Sequence, residues 1–384
     1  MKADSLAEVI VAGHICLDII PTLEEHQGRM ETLLSPGKVV NVGPAITATG
    51  GAVSNTGLAL HQLGLATRLM GKVGDDLLGD GILSTLRERD SMLSNGMIVA
   101  VGEHSSYTIV INPPGIDRAF LHCPGANDTF GADDIPFSEL GAARLFHFGY
   151  PPLMRRMFQN DGRELETVLR RVKERGLTTS LDMSMPDSRS ESGRVDWHSL
   201  LTRVLPFVDV FLPSLPELLF MLERPLFDEL SASTKATSIE SRVSDEMRRS
   251  LAERLLDMGA ALVALKLGDQ GLYVRASDDL HRLQRMGRCG LEHPGSWAGR
   301  EHTAPCFEVE VAGTTGAGDC TIAGFLAALL RGLPMEEVVT SALGVGACCC
   351  ERADATSGVP SWDVLQSRVQ AGWKRRPESA ESLP

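Results

Sequence analysis

Five apolar runs along the chain predict the strands of a buried sheet. Each is rich in hydrophobic residues and nearly continuous, which indicates a strand covered on both faces. Between the runs lie helical patterns, such as Leu165, Val168, Leu169 and Val172 at the spacing of one helix face. This alternation predicts an α/β fold with a mostly parallel central sheet and helices on both faces. The runs occupy residues 8–13, 143–149, 178–183, 208–213 and 261–268.

Polar residues stand at the ends of these runs. Asp18 follows the first run, Asp182 closes the third, Glu217 follows the fourth and Lys266 lies at the end of the fifth. Taken singly, such residues are more often helix caps or turn residues than ligands. Ligands of parallel sheets bind beyond the carboxyl ends of the strands. Together the four residues therefore predict one rim of a binding site.

Two segments interrupt the alternation, at 21–49 and 97–127. Residues 98–101, 107–111 and 117–122 read as short exposed strands, which form either a small sheet or two surface hairpins. We therefore predict a main α/β domain made of residues 1–20, 50–96 and 128–384, with a small β unit between its parts. The last residues, 374–384, are polar, and we expect them to be disordered.

Composition and net charge exclude some classes of binding partner. A net charge of −13 over 384 residues argues against binding to nucleic acid or to a membrane surface, because both need a basic field. The chain has no apolar run of about 18 residues and no cleavable leader pattern, so we expect a cytoplasmic protein. Three of the eight cysteines are consecutive, which fits neither a disulfide framework nor metal-ligand spacing. Cys349 is predicted to be a small core residue.

The most specific chemistry lies in the run Gly-Thr-Thr-Gly-Ala-Gly-Asp at 313–319, directly before an apolar helical pattern. Gly316 and Gly318 let backbone N–H groups approach a ligand, and the helix that follows adds the positive end of its dipole. Such a loop suits a phosphate. Asp319 would repel the phosphate unless it takes a proton from the attacking group, which indicates a kinase. The alternative is an ordinary glycine-rich turn before a buried helix.

This run resembles the C-terminal signature of the ribokinase-like (PfkB-type) carbohydrate kinases, written Asp-Thr-x-Gly-Ala-Gly-Asp. A second block resembles their N-terminal signature: Gly-Gly-Ala-Val-Ser-Asn-Thr at 50–56, followed by similar stretches at 58–64 and 71–79. The two signatures occur in the family's order, roughly 260 residues apart, a combination that chance rarely produces. On these motifs the chain is identified as a member of that family.

The resemblance implies a ribokinase-like fold whose small β-sheet, here 21–49 and 97–127, forms a lid over a sugar. It also implies ATP as phosphate donor and Mg²⁺ as its companion ion. Asp319 would be the base, and backbone N–H groups of Gly316, Ala317 and Gly318 would form the anion hole. Glu217 would hold Mg²⁺, through water, since Mg²⁺ keeps several waters.

The same resemblance assigns the remaining site residues. The sugar side takes the two glycines and the asparagine of the N-terminal signature, an acidic residue able to accept two hydrogen bonds from vicinal hydroxyls, and two weaker candidates from the lid. The nucleotide side takes the strand-turn 266–271 and one residue of the loop. These are Asp18, Gly50, Gly51, Asn55, Arg118 and Asn127 for the sugar, and Lys266, Gly268, Gly271 and Thr315 for the nucleotide.

Two residues depart from the family pattern. Gly313 stands where the family usually has aspartate, and that aspartate is tied in relatives to a nearby monovalent-cation site, so potassium activation is in doubt. Ser214 stands where Asn-x-x-Glu usually begins, and it shortens a polar arm near the magnesium site. Asp319 and the anion hole remain, so we expect catalysis, at a reduced rate if these changes matter.

Other classes fit less well. The Gly-x-x-x-x-Gly-Lys-Ser/Thr motif of P-loop NTPases is absent, and no Gly-x-Gly-x-x-Gly follows the first strand as in Rossmann dehydrogenases. A nucleoside kinase of the same fold stays open, although an aromatic content of 5% favours a sugar. A degenerate, non-catalytic sensor of sugar or nucleotide also stays open. The family resemblance allows a homodimer.

Overall fold

The computed structural model of the protein describes residues 7–23, 36–37, 39–112, 119–232 and 238–377. Within these ranges the chain forms fourteen strands, numbered in chain order. They are β1 (Val9–Gly13), β2 (Cys16–Pro21), β3 (Ala45–Gly50), β4 (Thr67–Met70), β5 (Lys72–Gly74), β6 (Ile98–Ala100), β7 (Tyr107–Ile111), β8 (Ala119–Cys123), β9 (Leu145–Gly149), β10 (Thr178–Leu181), β11 (Val210–Phe211), β12 (Leu262–Lys266), β13 (Leu272–Ala276) and β14 (Glu301–Ala304).

The described ranges also contain twelve α-helices, most of them between strands of the large sheet or after its last strand. They are α1 (Ala52–Gln62), α2 (Leu77–Arg89), α3 (Arg155–Phe158), α4 (Arg163–Glu174), α5 (Trp197–Val204), α6 (Leu215–Leu222), α7 (Arg224–Ala232), α8 (Asp245–Asp257), α9 (Leu280–Gln284), α10 (Ala317–Leu330), α11 (Met335–Cys350) and α12 (Trp362–Gln370).

The large sheet has eight strands in the order β14-β13-β12-β11-β10-β9-β1-β4. The six strands from β12 to β4 pair in parallel, whereas β13 and β14 add two antiparallel strands at one edge. All five predicted strand runs lie in this sheet, so the predicted α/β class is confirmed. The sequence interpretation missed β14, which lies at the end of a Gly- and Arg-rich stretch that resembles a loop.

Two hydrophobic cores cover the two faces of the large sheet. Alternate residues of β1 divide between them: Val9 and Val11 belong to the core that α1, α10 and α11 cover, while Ile10 and Ala12 belong to the core that α4, α5 and α6 cover. Successive side chains of a strand point to opposite faces, so a continuous apolar strand supplies both cores. Cys349 is fully buried in the first core, as predicted.

A second sheet of four strands, in the order β3-β2-β7-β8, stands apart from the large one. It contains two of the predicted lid strands, at 107–111 and near 119–123, but it begins at Cys16, within the segment predicted for the main domain. The predicted strand at 98–101 instead pairs with β5 in a separate two-stranded sheet. Only His14 and Ile15 separate β1 in the large sheet from β2 in the small one.

Ordered structure extends into the C-terminal tail that the sequence predicts to be disordered. Arg375 pairs with Phe307, and the backbone N–H of Arg376 donates to the Cys306 carbonyl at 2.8 Å. Trp373 anchors this segment because its ring stacks on Phe307, with 4.4 Å between ring centroids. Residues 378–384 lie outside the described ranges. No helix in the described part of the chain is long and apolar enough to cross a membrane.

Candidate active site

The two glycine-rich motifs meet at the carboxyl end of the large sheet. Helix α1 starts directly after Gly51, and helix α10 starts directly after Gly316. Asn55, in the first turn of α1, donates from Nδ2 to Oδ2 of Asp319 at 2.9 Å. Their contact joins positions that are 264 residues apart in sequence. The fold therefore brings together the sugar-side and phosphate-side signatures that the sequence only places in order.

Asp319 is a buried carboxyl group, with 2% of its surface exposed. Besides Asn55, it accepts from the Tyr150 hydroxyl, at 2.8 Å to Oδ1 and 2.9 Å to Oδ2. Burial raises the pKa of Asp319, because charge is disfavoured where water is excluded, although the Asn55 hydrogen bond and the Lys266 ammonium oppose that rise. A raised pKa makes Asp319 a stronger base, as proton abstraction requires.

The loop before α10 turns through Gly316, whose φ of 72° lies in the left-handed region that favours glycine. The first-turn N–H groups of α10 point out of the helix start, where the dipole is positive. Within the described residues, the N–H groups of Gly316 and Gly318 have no acceptor, while that of Ala317 donates to the Thr314 carbonyl at 3.3 Å. This geometry suits an anion, with Gly316 and Gly318 better placed than Ala317.

Lys266 lies at the centre of the site rather than in the turn that follows β12. Its Nζ donates to Oδ1 of Asp182 at 2.7 Å, and it would lie 3.8 Å from a Cβ on Gly318. Burial lowers the pKa of Lys266, but the carboxylates of Asp182 and Glu217 outweigh it and hold that pKa above its ordinary value. Burial raises the pKa of Asp182 despite the lysine. The ammonium thus stays charged beside the helix start that suits a phosphate.

Glu217 and Ser214 form a capping box at the start of α6. The Ser214 N–H donates to Glu217 Oε2 at 2.7 Å, and the Glu217 N–H donates to Ser214 Oγ at 3.4 Å. The charge of Glu217 still acts on Asp182 and Asp319, whose pKa values it raises. Ser214 therefore keeps the glutamate in place by capping the helix, a role that the family's asparagine can also fill.

The carboxyl groups around Lys266 are candidate ligands for a divalent cation. Asp182, Glu217 and Asp319 carry more negative charge than one ammonium balances, and Asp182 Oδ2 has no hydrogen-bond partner in the described part of the chain. Oxygen ligands of this kind suit Mg²⁺. However, no group of three or more His, Cys, Asp or Glu side chains there could hold a metal alone. The residues fit an ion that is held jointly with phosphate oxygens.

On the sugar side, Asp18 packs directly over the backbone of Gly50. A Cβ at Gly50 would lie 2.3 Å from Asp18 Oδ2, so only glycine permits this approach. The Cys16 thiol donates to Asp18 Oδ1 at 3.3 Å, and the Thr108 hydroxyl also hydrogen-bonds to this carboxyl group. Burial raises the pKa of Asp18. The carboxylate is therefore held in place and keeps capacity to accept hydrogen bonds from hydroxyl groups.

Two histidines that the motif interpretation missed line the same side. His14 follows β1 and His122 lies on β8 of the small sheet, with 3.3 Å between their Nε2 atoms. His122 also contacts the Thr108 hydroxyl through Nδ1 at 3.1 Å. Burial lowers the pKa of both imidazoles, so both are neutral at pH 7. Neutral imidazoles can donate to and accept from hydroxyls.

Buried polar atoms without a protein partner concentrate at this end of the sheet. Within the described residues they include His14 Nδ1, Asn55 Oδ1, Asp182 Oδ2, His147 Nε2 and Ser184 Oγ. Burying such atoms unpaired costs free energy, so a cluster of them indicates a site that water or a ligand completes. Each belongs to a residue in or just after β1, β9 or β10, or to the first turn of α1.

Asn127 does not have the predicted role. It is fully buried, accepts from the Ile15 N–H at 3.1 Å, and donates to the carbonyls of Ile15 and Pro124. Its amide is used in hydrogen bonds to the backbone between β1 and β2. It therefore holds that connection in place and has no group left to bind a sugar. The other predicted lid contact, Arg118, lies outside the described residues.

The remaining nucleotide-side predictions fall in two turns. Gly268 and Gly271 bound the turn between β12 and β13, with φ of 57° and 114°. Gly271 also passes close to β14, where a Cβ would lie 2.0 Å from the Ala304 carbonyl oxygen. Thr315 precedes the anion loop, and its carbonyl accepts from the Cys349 thiol at 3.4 Å. These positions border the Lys266 end of the site and stay predictions as nucleotide contacts.

Gly313 lies where a side chain would crowd the backbone. A Cβ there would be 3.0 Å from the carbonyl oxygen of Arg352 and 3.0 Å from Cα of Ala353. The segment after α11 therefore packs closely against the loop at the position where the family usually has aspartate. The expectation about potassium stays a prediction.

Tyr150 is the main residue that the motifs did not reveal. It directly follows β9, at the same end of the sheet as Asp182, and precedes two prolines. The rule that polar side chains at the carboxyl ends of parallel strands line a site could have found it. The sequence pattern alone does not single out Tyr150, because a tyrosine ring fits a buried apolar run equally well.

Comparisons with known proteins identify the family and support the fold. The sequence model for the pfkB family carbohydrate kinases matches residues 6–362. An uncharacterized sugar kinase from Archaeoglobus fulgidus is 28% identical over 294 residues, which is 77% of this chain and 95% of that protein.

Solved structures share the fold at low identity. A chain provisionally assigned as ribokinase II from E. coli, in complex with ATP and Mg²⁺, superposes with a TM-score of 0.68 at 18% identity, over 95% of this chain and 100% of the other. A nucleoside kinase from Methanocaldococcus jannaschii gives 0.63 at 17% identity, over 96% and 99%. With the family model spanning nearly the whole sequence, the chain belongs to the pfkB family of carbohydrate kinases.

Proposed function

We propose that this carbohydrate kinase transfers the γ-phosphate of ATP to a hydroxyl group of a small neutral sugar, with Asp319 as the base. The observation that carries the proposal is the Asn55–Asp319 hydrogen bond of 2.9 Å, which joins the sugar-side and phosphate-side motifs around one buried carboxyl. A helix cap alone would need neither burial nor a partner from α1.

Each residue has a separate task in the reaction. Asp319 takes the proton of the acceptor hydroxyl as that oxygen attacks the γ-phosphorus and the bond to ADP breaks. The N–H groups of Gly316 and Gly318 and the Lys266 ammonium stabilise the negative charge on the phosphoryl oxygens. Asp18 orients the sugar by accepting hydrogen bonds from its hydroxyls.

Mg²⁺ fits beside the same phosphates. Asp182 and Glu217 would hold it, through water where the Ser214 N–H occupies one glutamate oxygen. When bound, the ion neutralises phosphate charge. The small sheet covers the sugar side, where His122 lies within 3.3 Å of His14, and a covered site keeps water from the γ-phosphate.

The test is a panel of neutral sugars, sugar acids and nucleosides with Mg-ATP, read as ADP release and confirmed by the phosphorylated product. We expect release that depends on a neutral sugar, and release slower by about 10² or more from Asp319→Asn with the same acceptor. The best acceptor found here is called the panel acceptor below. Acceptor-dependent release with nucleosides alone would replace the proposal by nucleoside phosphorylation.

The nucleoside alternative has one observation in its favour. The ring centroid of His14 lies 5.1 Å from that of His122 and 6.1 Å from that of Tyr150, and a flat base could contact these rings. Asp18 would serve the ribose hydroxyls of a nucleoside as well as those of a sugar. Binding of ligands without any turnover would point to a sensor. The homodimer remains a prediction, which light scattering during gel filtration tests.

A further inference from the structure

The Tyr150 hydroxyl lies on the catalytic carboxylate itself. It is 2.8 Å from Oδ1 and 2.9 Å from Oδ2 of Asp319. Oδ2 also accepts from Asn55, whereas Tyr150 is the only hydrogen-bond partner of Oδ1 among the described residues. An acceptor hydroxyl must reach one of these two oxygens to give up its proton. It therefore competes with Tyr150 for Oδ1.

Tyr150 is a donor here and not a second base. Burial, together with the nearby charges of Asp319 and Asp182, raises the pKa of its phenol well above the ordinary value. The hydroxyl thus stays protonated at any pH at which the enzyme works. A protonated phenol on Asp319 satisfies the carboxylate but cannot take part in proton removal.

The backbone at Tyr150 is unusual for a side chain of this size. Its φ of 63° and ψ of 44° are left-handed, a conformation shared by two other non-glycine residues in the described part of the chain. The conformation costs free energy in a bulky residue, and such strain is retained where a position is held for function. The Leu153 N–H donates to the Tyr150 carbonyl at 3.0 Å and closes the turn that maintains it.

The ring of Tyr150 lies near the residues that are proposed to bind the sugar. Its ring lies 6.1 Å from that of His14, which in turn contacts His122 on the small sheet. Tyr150 therefore contacts the base through its hydroxyl and lies beside His14 through its ring, so an acceptor bound against His14 and His122 would meet its hydroxyl before Asp319. Water that reached Asp319 by the same route would be held beside the γ-phosphate.

We propose that Tyr150 is a positioning residue that shields Asp319 from water until the acceptor hydroxyl replaces the Tyr150 hydroxyl on Oδ1. The inference rests on the proposed function. The reaction that it suppresses is ATP hydrolysis: a water oxygen bonds to the γ-phosphorus, the bond from that phosphorus to the β-phosphate oxygen breaks, ADP leaves, and Asp319 receives the water proton. Removing the hydroxyl of Tyr150 leaves space for a water molecule beside Asp319.

The test is Tyr150→Phe, assayed for ADP release from Mg-ATP without any acceptor. We expect the variant to release ADP about tenfold faster than the unmodified protein, because a water now occupies the hydroxyl position. With the panel acceptor, the acid limb of the pH–rate profile should move up by about one pH unit, since a donor to the charged carboxylate is lost.

Tyr273→Phe is the matched control. Its hydroxyl donates to a carboxylate as well, Glu301 Oε2 at 2.7 Å, but on β13 away from the site. It should change neither the rate without acceptor nor the pH profile. An unchanged acceptor-free rate in Tyr150→Phe overturns the inference, whether or not the acid limb moves. Failure of the proposed function is a separate result, seen as absence of acceptor-dependent transfer in the unmodified protein.

A second measurement does not depend on folding of the variant. The chain has three tyrosines, so protein labelled with 3-fluorotyrosine gives three ¹⁹F signals, and Tyr107→Phe and Tyr273→Phe assign that of Tyr150 by elimination. Adding the panel acceptor should shift the Tyr150 signal and leave that of Tyr273 in place. A Tyr150 signal that stays fixed at saturating acceptor overturns the inference.

Discussion

Two buried aspartates at opposite ends of the large sheet have contrasting surroundings. Asp209 lies at the amino end of β11, and its two oxygens accept from Lys173 at 2.9 and 2.7 Å, from Arg282 at 2.8 Å and from the Thr179 N–H at 2.8 Å. Asp182 lies just past the carboxyl end of β10. It accepts from Lys266 at 2.7 Å through one oxygen, and the other has no partner in the described chain.

Both aspartates are fully buried and both are paired with a lysine, so burial and an ion pair do not distinguish them. The two aspartates differ in how many of their hydrogen-bonding positions the protein occupies. A buried charge that the protein satisfies completely holds elements together, whereas one left partly unsatisfied keeps capacity for a ligand. The site end of this sheet therefore gives up stability in exchange for the capacity to bind a ligand.

The largest expected effect concerns this pair. Asp209→Asn should lower the free energy of unfolding by about 3 kcal/mol or more, because it leaves Lys173 and Arg282 without their buried partner charge. Asp182→Asn should cost clearly less, since it removes a carboxylate that was only partly satisfied. Urea denaturation of both variants measures the difference. Equal losses would show that hydrogen-bond saturation does not separate the two ends of the sheet.

The second effect concerns turnover at the site end. Asp319→Asn should lower kcat by about 10² or more, the usual scale for losing a general base. The amide can still accept from Asn55 and Tyr150, so ATP binding and the fold should persist. The measurements are kcat with the panel acceptor and ATP affinity by calorimetry. A variant with near-normal kcat would remove Asp319 from its role.

The third effect tests whether Asp18 binds the sugar and not ATP. Asp18→Ala should raise KM for the panel acceptor, since charge-assisted hydrogen bonds are worth roughly 1.5–3 kcal/mol each, and leave KM for ATP unchanged. Asp196→Ala, which removes an aspartate that caps α5, is the control for loss of a structural carboxylate. A parallel rise in both KM values in Asp18→Ala would indicate damage to the fold.

The fourth effect is a pH dependence in which activity and stability change in opposite directions. Asp319 must be ionised to act as base, and burial raises its pKa, so the rate should begin to fall at a higher pH than an ordinary aspartate would cause. Because the folded pKa exceeds the unfolded one, folding favours the protonated form. This stabilisation is present at low pH and is lost as pH rises through the folded pKa.

Comparing thermal unfolding of the unmodified protein and Asp319→Asn between pH 4 and pH 8 isolates that contribution. The difference should favour the variant most at the upper end of the range, where only the unmodified protein carries a buried ionised carboxylate at position 319. A constant difference across the range would show that the carboxyl is not perturbed by burial.

The smallest effect concerns potassium. Without a carboxylate at Gly313, a monovalent site lacks one oxygen ligand and one negative charge, so potassium should change the initial rate by less than about twofold relative to tetramethylammonium. Rates with the panel acceptor in the two chloride salts give the comparison. Strong, saturable activation by potassium would show that other residues complete such a site.

The sequence predicted the large sheet well because a strand buried on both faces leaves an unmistakable apolar run, as at β1 and β9. It also predicted that Asp18, Asn55 and Asp319 act together, through motifs. It could not predict that Asn127 turns its amide to the backbone of Ile15, since an asparagine's partners depend on tertiary contacts. It placed Asp182, and not Asp209, at the rim of the site, but it could not predict that all the hydrogen-bonding capacity of Asp209 is used, because its partners come from distant chain segments.

The two-residue connection between β1 and β2 has a consequence for how the molecule moves. His14 and Ile15 are the whole link between the large sheet and the first strand of the small one, and Asn127 clamps Ile15 through both its N–H and its carbonyl. The small sheet also joins the rest of the chain at Gly50–Gly51, where β3 runs into α1, before Tyr107 at the start of β7 and after Cys123 at the end of β8. His14, Gly50 and Gly51 belong both to these crossings and to the proposed sugar side, so any movement of the small sheet would displace part of the sugar's surroundings with it.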